Sequence, residues 1–372
     1  MKTALAHLAA LISIPSISSQ SNRGVIDYAA SVLRPQGWSL REFIYLDAHG
    51  VEKVNCIAAP PGQSPDAPAA DLVFVCHTDT VPFAANWSAA LEPRVENGSL
   101  HGCGSCDVKS VLACLLALSE QTGHCRQQLR LVLTAEEEIG CLGAKRLLAN
   151  GMPHARQMVV GEPTSLKVAR AGKGYCLAEV AVQGREAHSA LPEQGASAIA
   201  AAAEFVAKVY TFAKDLQQQQ HSFFAPCYTT MNIGTIAGGT ARNVVAGRCV
   251  FPVEWRPIPG QSSLLVPQSL AAIATSVEEQ YAGVHVEVKV VREQGGFETA
   301  TDTFLVRQME TLTQRPAVSI SFGSEASIFA AIAEQVVVFG PGDMGTAHSD
   351  RECVPCEELE AAIACYRALV EG

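Results

Sequence analysis

No apolar stretch in the 372-residue chain approaches the roughly 18 residues that a membrane-crossing helix needs, so no membrane partner is expected. Basic residues are in deficit: 27 lysines and arginines face 37 aspartates and glutamates, a formal charge of -10. A surface of that sign repels phosphate, which argues against nucleic acid and leaves a small molecule as the expected ligand. A secretory leader is not evident either. MKTALAHLAALISIPS carries one lysine, His7 interrupts its apolar run and no clear small-residue cleavage site follows, so it reads as an amphipathic helix ending before Pro15. Cysteine is plentiful but lacks the pattern of a disulfide framework. Its thirteen copies are an odd, scattered set, and many sit in apolar runs such as VLACLLAL around Cys114, where a thiol behaves as a small hydrophobe. Reduced thiols and a cytoplasmic location are the expectation.

The length exceeds what one hydrophobic core usually serves, which predicts two domains or one domain with a large insertion. Several apolar runs empty abruptly into acids or histidine. LVFVC (72–76) leads into His77-Thr78-Asp79, LRLVLT (129–134) into Glu136-Glu137-Glu138, MVV (158–160) into Gly161-Glu162-Pro163, and VVVFG (336–340) on toward His348. Helical segments such as VKSVLACLLALSEQ and CLGAKRLLANG lie between them. Buried strands alternating with helices predict an α/β fold, a mostly parallel sheet with helices on both faces, and ligands in such sheets gather beyond the carboxyl ends of the strands. From about Ala169 to Glu293 the pattern changes to strand, alanine-rich helix, two strands, helix, strand. That β-α-β-β-α-β order predicts an inserted split βαβ domain over 169–293, flanked by the two parts of the first domain, 1–168 and 294–372.

The residues at the strand ends form a set: His77, Asp107, Glu137, Glu138, Glu162 and His348. Imidazoles and carboxylates without thiolate are the donors of catalytic zinc, cobalt or manganese centres. One aspartate can bridge two ions with two further donors on each side, so the count suggests a dinuclear site able to polarise a carbonyl and activate water. An unligated acid must still move the proton, and one of Glu136-Glu137-Glu138 can do so while a neighbour binds metal. In HGCGSCDVKS (101–110) the pair Cys103 and Cys106, with Cys353 and Cys356 in ECVPCE, keeps a four-cysteine structural zinc in play. Arg256 in WRPIPG is suited to hold a substrate α-carboxylate in a bidentate fork, with Asn243 adding a hydrogen bond. Glu325, an acid in the apolar stretch GSEASIF, is expected to read the far end of the substrate, an amine or ureido group.

In order along nearly the whole chain, HTDTVP, GCGSCDVKS, TAEEEIG, GEPTS, REAHSALPEQG, NVV, WRPIPG and GPGDMGTAH resemble the zinc-dependent amidohydrolase and peptidase family that includes acetylornithine deacetylase. The resemblance implies hydrolysis of an N-acyl amino acid, N-acetylornithine or N-acetylcitrulline before all, with succinyl-diaminopimelate or small peptides as alternatives. A non-catalytic binding protein would require damage to the set, and none is visible. It implies two divalent ions, zinc with cobalt or manganese possible: His77 and Glu162 on one, Glu138 and His348 on the other, Asp107 bridging. Glu137 becomes the general base and Asp79 the group that orients His77. His188 would cross to the partner's site in a homodimer and stabilise the oxyanion, making the insertion a dimerisation domain. The chain departs from the common pattern at Glu136, Ser110, Ala190 and Glu254, none of them an implied ligand.

Overall fold

Every residue of the segment KSVLACLLALS is buried in the computed structural model, which describes residues 2–120, 125 and 127–372. A helix that is apolar all round belongs inside a domain. Lys109–Ser119 lies there, packed between the helices Ala4–Ile12 and Cys356–Glu371 and against the strand Ala69–His77. Ala4–Ile12 is the expected first helix, and Thr3 Oγ1 caps it by accepting from Ala6 N–H at 3.2 Å.

The continuous apolar runs become the sheet's centre. Ala69–His77 pairs in parallel with Leu129–Thr134 on one side and His154–Val160 on the other, and Ala333–Val338 adds a further parallel strand beside His154–Val160. Two strands that the sequence does not announce, Ser39–Leu46 and Glu52–Ala59, form an antiparallel hairpin that extends the sheet past Leu129–Thr134. Ser39–Leu46 is the outer strand and leaves Ile44 and Leu46 exposed, so it presents neither a buried run nor a clean alternation. The sheet is therefore mixed, a parallel centre with an antiparallel flank, and helices cover both faces.

The chain divides into two compact units. The first runs to Arg170 and resumes over Glu298–Val318 and Ser324–Gly372; the second comprises Ala171–Phe297 and Ser319–Gly323. The chain thus returns to the first unit at Glu298, later than position 294. Ser319–Gly323 joins the second unit through the sheet-like bond from Lys173 N–H to Ile320 O, 3.1 Å. Within the second unit the order is Cys176–Gln183, helix Ala198–Leu216, Thr230–Asn232, Ala237–Gly238, Arg248–Arg256, helix Leu265–Gln280 and His285–Arg292. The central strand Cys176–Gln183 pairs antiparallel with Arg248–Arg256 and with His285–Arg292. Residues alternate between buried and open along Cys176–Gln183 and Arg248–Arg256 because the two helices cover only one face. Phe205 and Leu270 from those helices meet Val180 and Phe251 in a separate core. No helix among the described residues is long and apolar enough to cross a membrane.

Candidate metal centre

The three central parallel strands of the first unit deliver their acids and histidine at the same end. His77 is the last residue of Ala69–His77, Glu137 and Glu138 follow Leu129–Thr134 after a short turn, and Glu162 follows His154–Val160. Asp107 comes from the turn before the buried helix Lys109–Ser119, and His348 from the segment between Ala333–Val338 and Cys353–Pro355. Glu136 and His348 take left-handed backbone angles, φ 60 and 59. Such angles cost a non-glycine residue about 1–3 kcal/mol and persist where surrounding contacts over-determine them.

Asp107 stands between the two histidines. Its Oδ1 lies 3.1 Å from His77 Nε2 and its Oδ2 lies 3.2 Å from His348 Nε2, which is also 3.2 Å from Glu138 Oε2. Two triads result, His77–Asp107–Glu162 and Asp107–Glu138–His348, each with donor atoms within 4.8 Å of one another. The first is fully buried; the second opens to solvent through the His348 side chain, 47% exposed. Glu137 belongs to neither triad, is buried, and receives Cys141 Sγ at 3.3 Å on its Oε1.

The electrostatics are those of a site short of positive charge. Burial pushes the Glu162 carboxyl well above its ordinary range, and the charges of Asp107 and Glu137 add to the effect. Burial likewise raises Glu137 to about 7, with His77 opposing and Glu138, Asp79 and Asp107 reinforcing. Hydrogen bonds to Asp107 and Glu138 raise His348 to about 10. Burial disfavours the charged forms of His77 and Asp107, yet their mutual contact raises the imidazole and, with His348, lowers the carboxyl. Glu138 Oε1 is buried without a hydrogen-bond partner. Packing this many acids together is costly unless cations neutralise them, and the hard oxygen and imidazole donors suit divalent ions. The residues present therefore fit a pair of such ions.

Asp79 is brought into the cluster in an unexpected way. Its main-chain carbonyl lies 3.0 Å from His77 Nδ1, whereas its carboxylate oxygen is 3.8 Å away. That carboxylate instead accepts Glu137 N–H at 3.1 Å, Glu138 N–H at 3.4 Å and Ser18 Oγ–H at 2.6 Å. Asp79 thus fixes the imidazole with its backbone and the double-glutamate turn with its side chain. Glu325 lies buried below, accepting from Thr134 Oγ1–H at 2.9 Å, its Oε1 without a partner and its carboxyl raised to about 8 by burial and the charge of Glu137.

His188, Asn243 and Arg256 belong to the second unit. His188 and Asn243 are exposed and adjacent: Ser189 N–H donates to Asn243 O at 3.0 Å. Arg256 Nε donates to Glu254 Oε1 at 2.9 Å, and its guanidinium carbon sits 3.6 Å from the centre of the Tyr175 ring. The two cysteine pairs form no cluster: among the described residues only the two triads group as possible metal donors, and Cys106 Sγ contacts Asp343 O at 3.3 Å. Sequence reasoning missed Glu352, whose carboxylate accepts the main-chain N–H groups of Gly104, Cys106 and Asp107. Its only sequence signal is proximity to His348, since nothing local marks an acid for partners some 245 positions away.

Comparison with known proteins extends these observations. The model of peptidase family M20/M25/M40 matches residues 73–372. Acetylornithine deacetylase from Myxococcus xanthus is 40% identical over 96% of this chain and 95% of its own. The enzyme of the same name from Proteus mirabilis is 30% identical over 97% and 94%. Among solved structures, a tripeptidase from Staphylococcus aureus superposes with TM-score 0.79 at 21% identity, covering 99% of this chain and 97% of that one. Bacillus subtilis YxeP, described as a dinuclear metal-binding peptidase, gives 0.69 at 15%, covering 99% and 96%. With donor triads at the strand ends and a family match over most of its length, the chain belongs to peptidase family M20/M25/M40, whose members are metal-dependent hydrolases.

Proposed function

We propose that the protein is a two-zinc amidohydrolase that removes the acetyl group of N-acetylornithine, with N-acetylcitrulline as the nearest analogue. The observation that carries the reading is the pair of donor triads hinged on Asp107, with Glu137 beside them and in neither. The 40% identity to acetylornithine deacetylase of Myxococcus xanthus supports the substrate. His77 and Glu162 would hold one ion, Glu138 and His348 the other, and Asp107 both. Two bound divalent ions supply Lewis-acid polarisation of the amide carbonyl and make water acidic near neutral pH. Zinc suits imidazole with carboxylate, and cobalt or manganese would bind the same donors.

Glu137 takes a proton from the attacking water and returns it to the departing nitrogen, so acetate and a free amine leave. Asp79 keeps Glu137 on station through the 3.1 Å bond to its N–H. Arg256, braced by Glu254 and the Tyr175 ring, presents its remaining guanidinium N–H groups to the substrate α-carboxylate, and Asn243 adds a hydrogen bond. The burial of Glu325 favours an indirect part in substrate choice, through the hydrogen bond it accepts from Thr134. The partner subunit's His188 donates to the oxyanion of the transition state, which makes the working molecule a homodimer and the second unit its dimerisation domain.

The test is a substrate panel on chelated protein reloaded with zinc or cobalt. N-acetylornithine should be cleaved with the highest kcat/KM and activity should vanish on chelation. Preference for succinyl-diaminopimelate or a dipeptide would overturn the substrate, and metal-independent turnover would overturn the mechanism.

A further inference from the structure

One buried acid outside the donor set touches both halves of the cluster. Glu352 is 2% exposed and lies four positions beyond His348. Its Oε2 accepts Gly104 N–H, and its Oε1 accepts Cys106 and Asp107 N–H, each at 3.0 Å. The main chain continues the grip: Gly102 N–H donates to Glu352 O at 3.3 Å, and Cys353 pairs with His101 in a short antiparallel ladder. The turn so held contains Gly104 at φ 76, a conformation that glycine enters freely and leaves freely. Burial pushes the Glu352 carboxyl up to about 7 and the three N–H bonds oppose that rise; converging on one group, they fix such a turn far better than its own sequence could.

We infer that Glu352 is a positioning residue for the metal centre: it ties the turn that aims Asp107 to the segment that carries His348, so that the donors of the second triad arrive as one piece. The inference rests on reading the triads as a metal centre. With the clamp in place, Asp107 Oδ2 and His348 Nε2 stand 3.2 Å apart, so the two segments that Glu352 joins bring these donors to one point. The first triad depends less on it, because His77 and Glu162 are held at the ends of buried sheet strands. His348 has no strand beneath it, and its side chain is 47% exposed.

Titrating chelated protein with zinc alone, against a chromophoric chelator, yields two dissociation constants. Glu352→Gln keeps the size of the side chain but turns an NH2 group toward main-chain donors. It should raise the weaker constant about tenfold or more, as loss of a supporting partner does at other metal sites, and change the tighter one less. Glu358→Gln is the control, since Glu358 accepts Gly342 N–H at 2.8 Å and, among the described residues, no N–H of the Gly104–Asp107 turn; both constants should stay as in the wild type. A Glu352→Gln protein with a lowered melting temperature but both zinc constants unchanged would mean a purely structural acid and overturn the inference. Wild-type protein taking up no zinc would remove the metal-centre reading, a separate failure. If the variant does not fold, hydrogen exchange on metal-free wild type decides. The amides of Gly104, Cys106 and Asp107 should exchange slowly, and exchange at the rate of an open loop would show that no clamp preforms.

Discussion

Glu137 illustrates how the surroundings of a single side chain set its chemistry. Burial raises it to about 7 in the metal-free protein, and nearby divalent ions favour its charged form. The loaded enzyme should therefore lose kcat/KM as pH falls below about 7, because only the carboxylate accepts a proton, and run flat above it; an acid limb centred above that value would remove Glu137 from the role. Glu137→Gln should lower kcat by about 10²–10⁴-fold while zinc content, measured by elemental analysis, stays at the wild-type level. Glu325 gives the opposite kind of prediction. Its carboxyl, raised to about 8 over an ordinary 4.5, is neutral at mild acidity and must be charged or held protonated at a cost as pH rises. Glu325→Gln should leave the melting temperature of metal-free protein unchanged near pH 5 and raise it by a few degrees near pH 8.

The elements are placed by contacts that leave little slack. Helix Leu142–Ala149 follows the glutamate turn and sits against it through Gly143, where an added Cβ would lie 2.1 Å from Ala135 O and 2.6 Å from Asn55 Oδ1. Gly143→Ala must push the helix off Ala135, at a typical overpacking cost of about 1–3 kcal/mol. Since Ala135 leads directly into Glu136–Glu138, we expect lower turnover as well as a lower melting temperature; a loss of stability with full kcat would show that the turn does not follow the helix. Much of this arrangement was legible beforehand, because apolar runs ending in His77, Glu137, Glu138 and Glu162 announce buried parallel strands and their business end together. The hairpin Ser39–Ala59 was not, since its outer strand mixes Arg41, Glu42 and exposed Ile44 and Leu46 without a clear period. Nor could Glu352 be foreseen, as its main-chain partners lie some 245 positions away, nor the carbonyl of Asp79, since a main-chain acceptor leaves no mark on side-chain pattern even two residues from His77.

At the scale of the whole molecule the acids of the cluster act on stability together. Folded values near 7 for Glu137, 8 for Glu325 and 10 for His348 all lie above the ordinary ones. The folded state then holds protons that the unfolded state has released. Stability is greatest below the unfolded values and is lost as pH rises through the folded ones. Metal-free protein should accordingly melt lower at about pH 8 than at about pH 5, and zinc should raise the melting temperature most at the higher pH; a zinc effect equal at both would contradict the clustering of charge. The proposed homodimer makes a separate prediction. His188→Ala and Glu137→Gln proteins, each nearly inactive, should recover activity when mixed under conditions that exchange subunits, because one of the two sites in a mixed dimer is intact. No recovery would place His188 outside the chemistry. The order of the donors along the chain also has a consequence for biosynthesis. Glu162, the last donor of the first triad, leaves the ribosome 186 residues ahead of His348, a delay of roughly ten to forty seconds at ordinary elongation rates. In the proposed enzyme the donors of the first triad would therefore all be made well before the second triad could be completed.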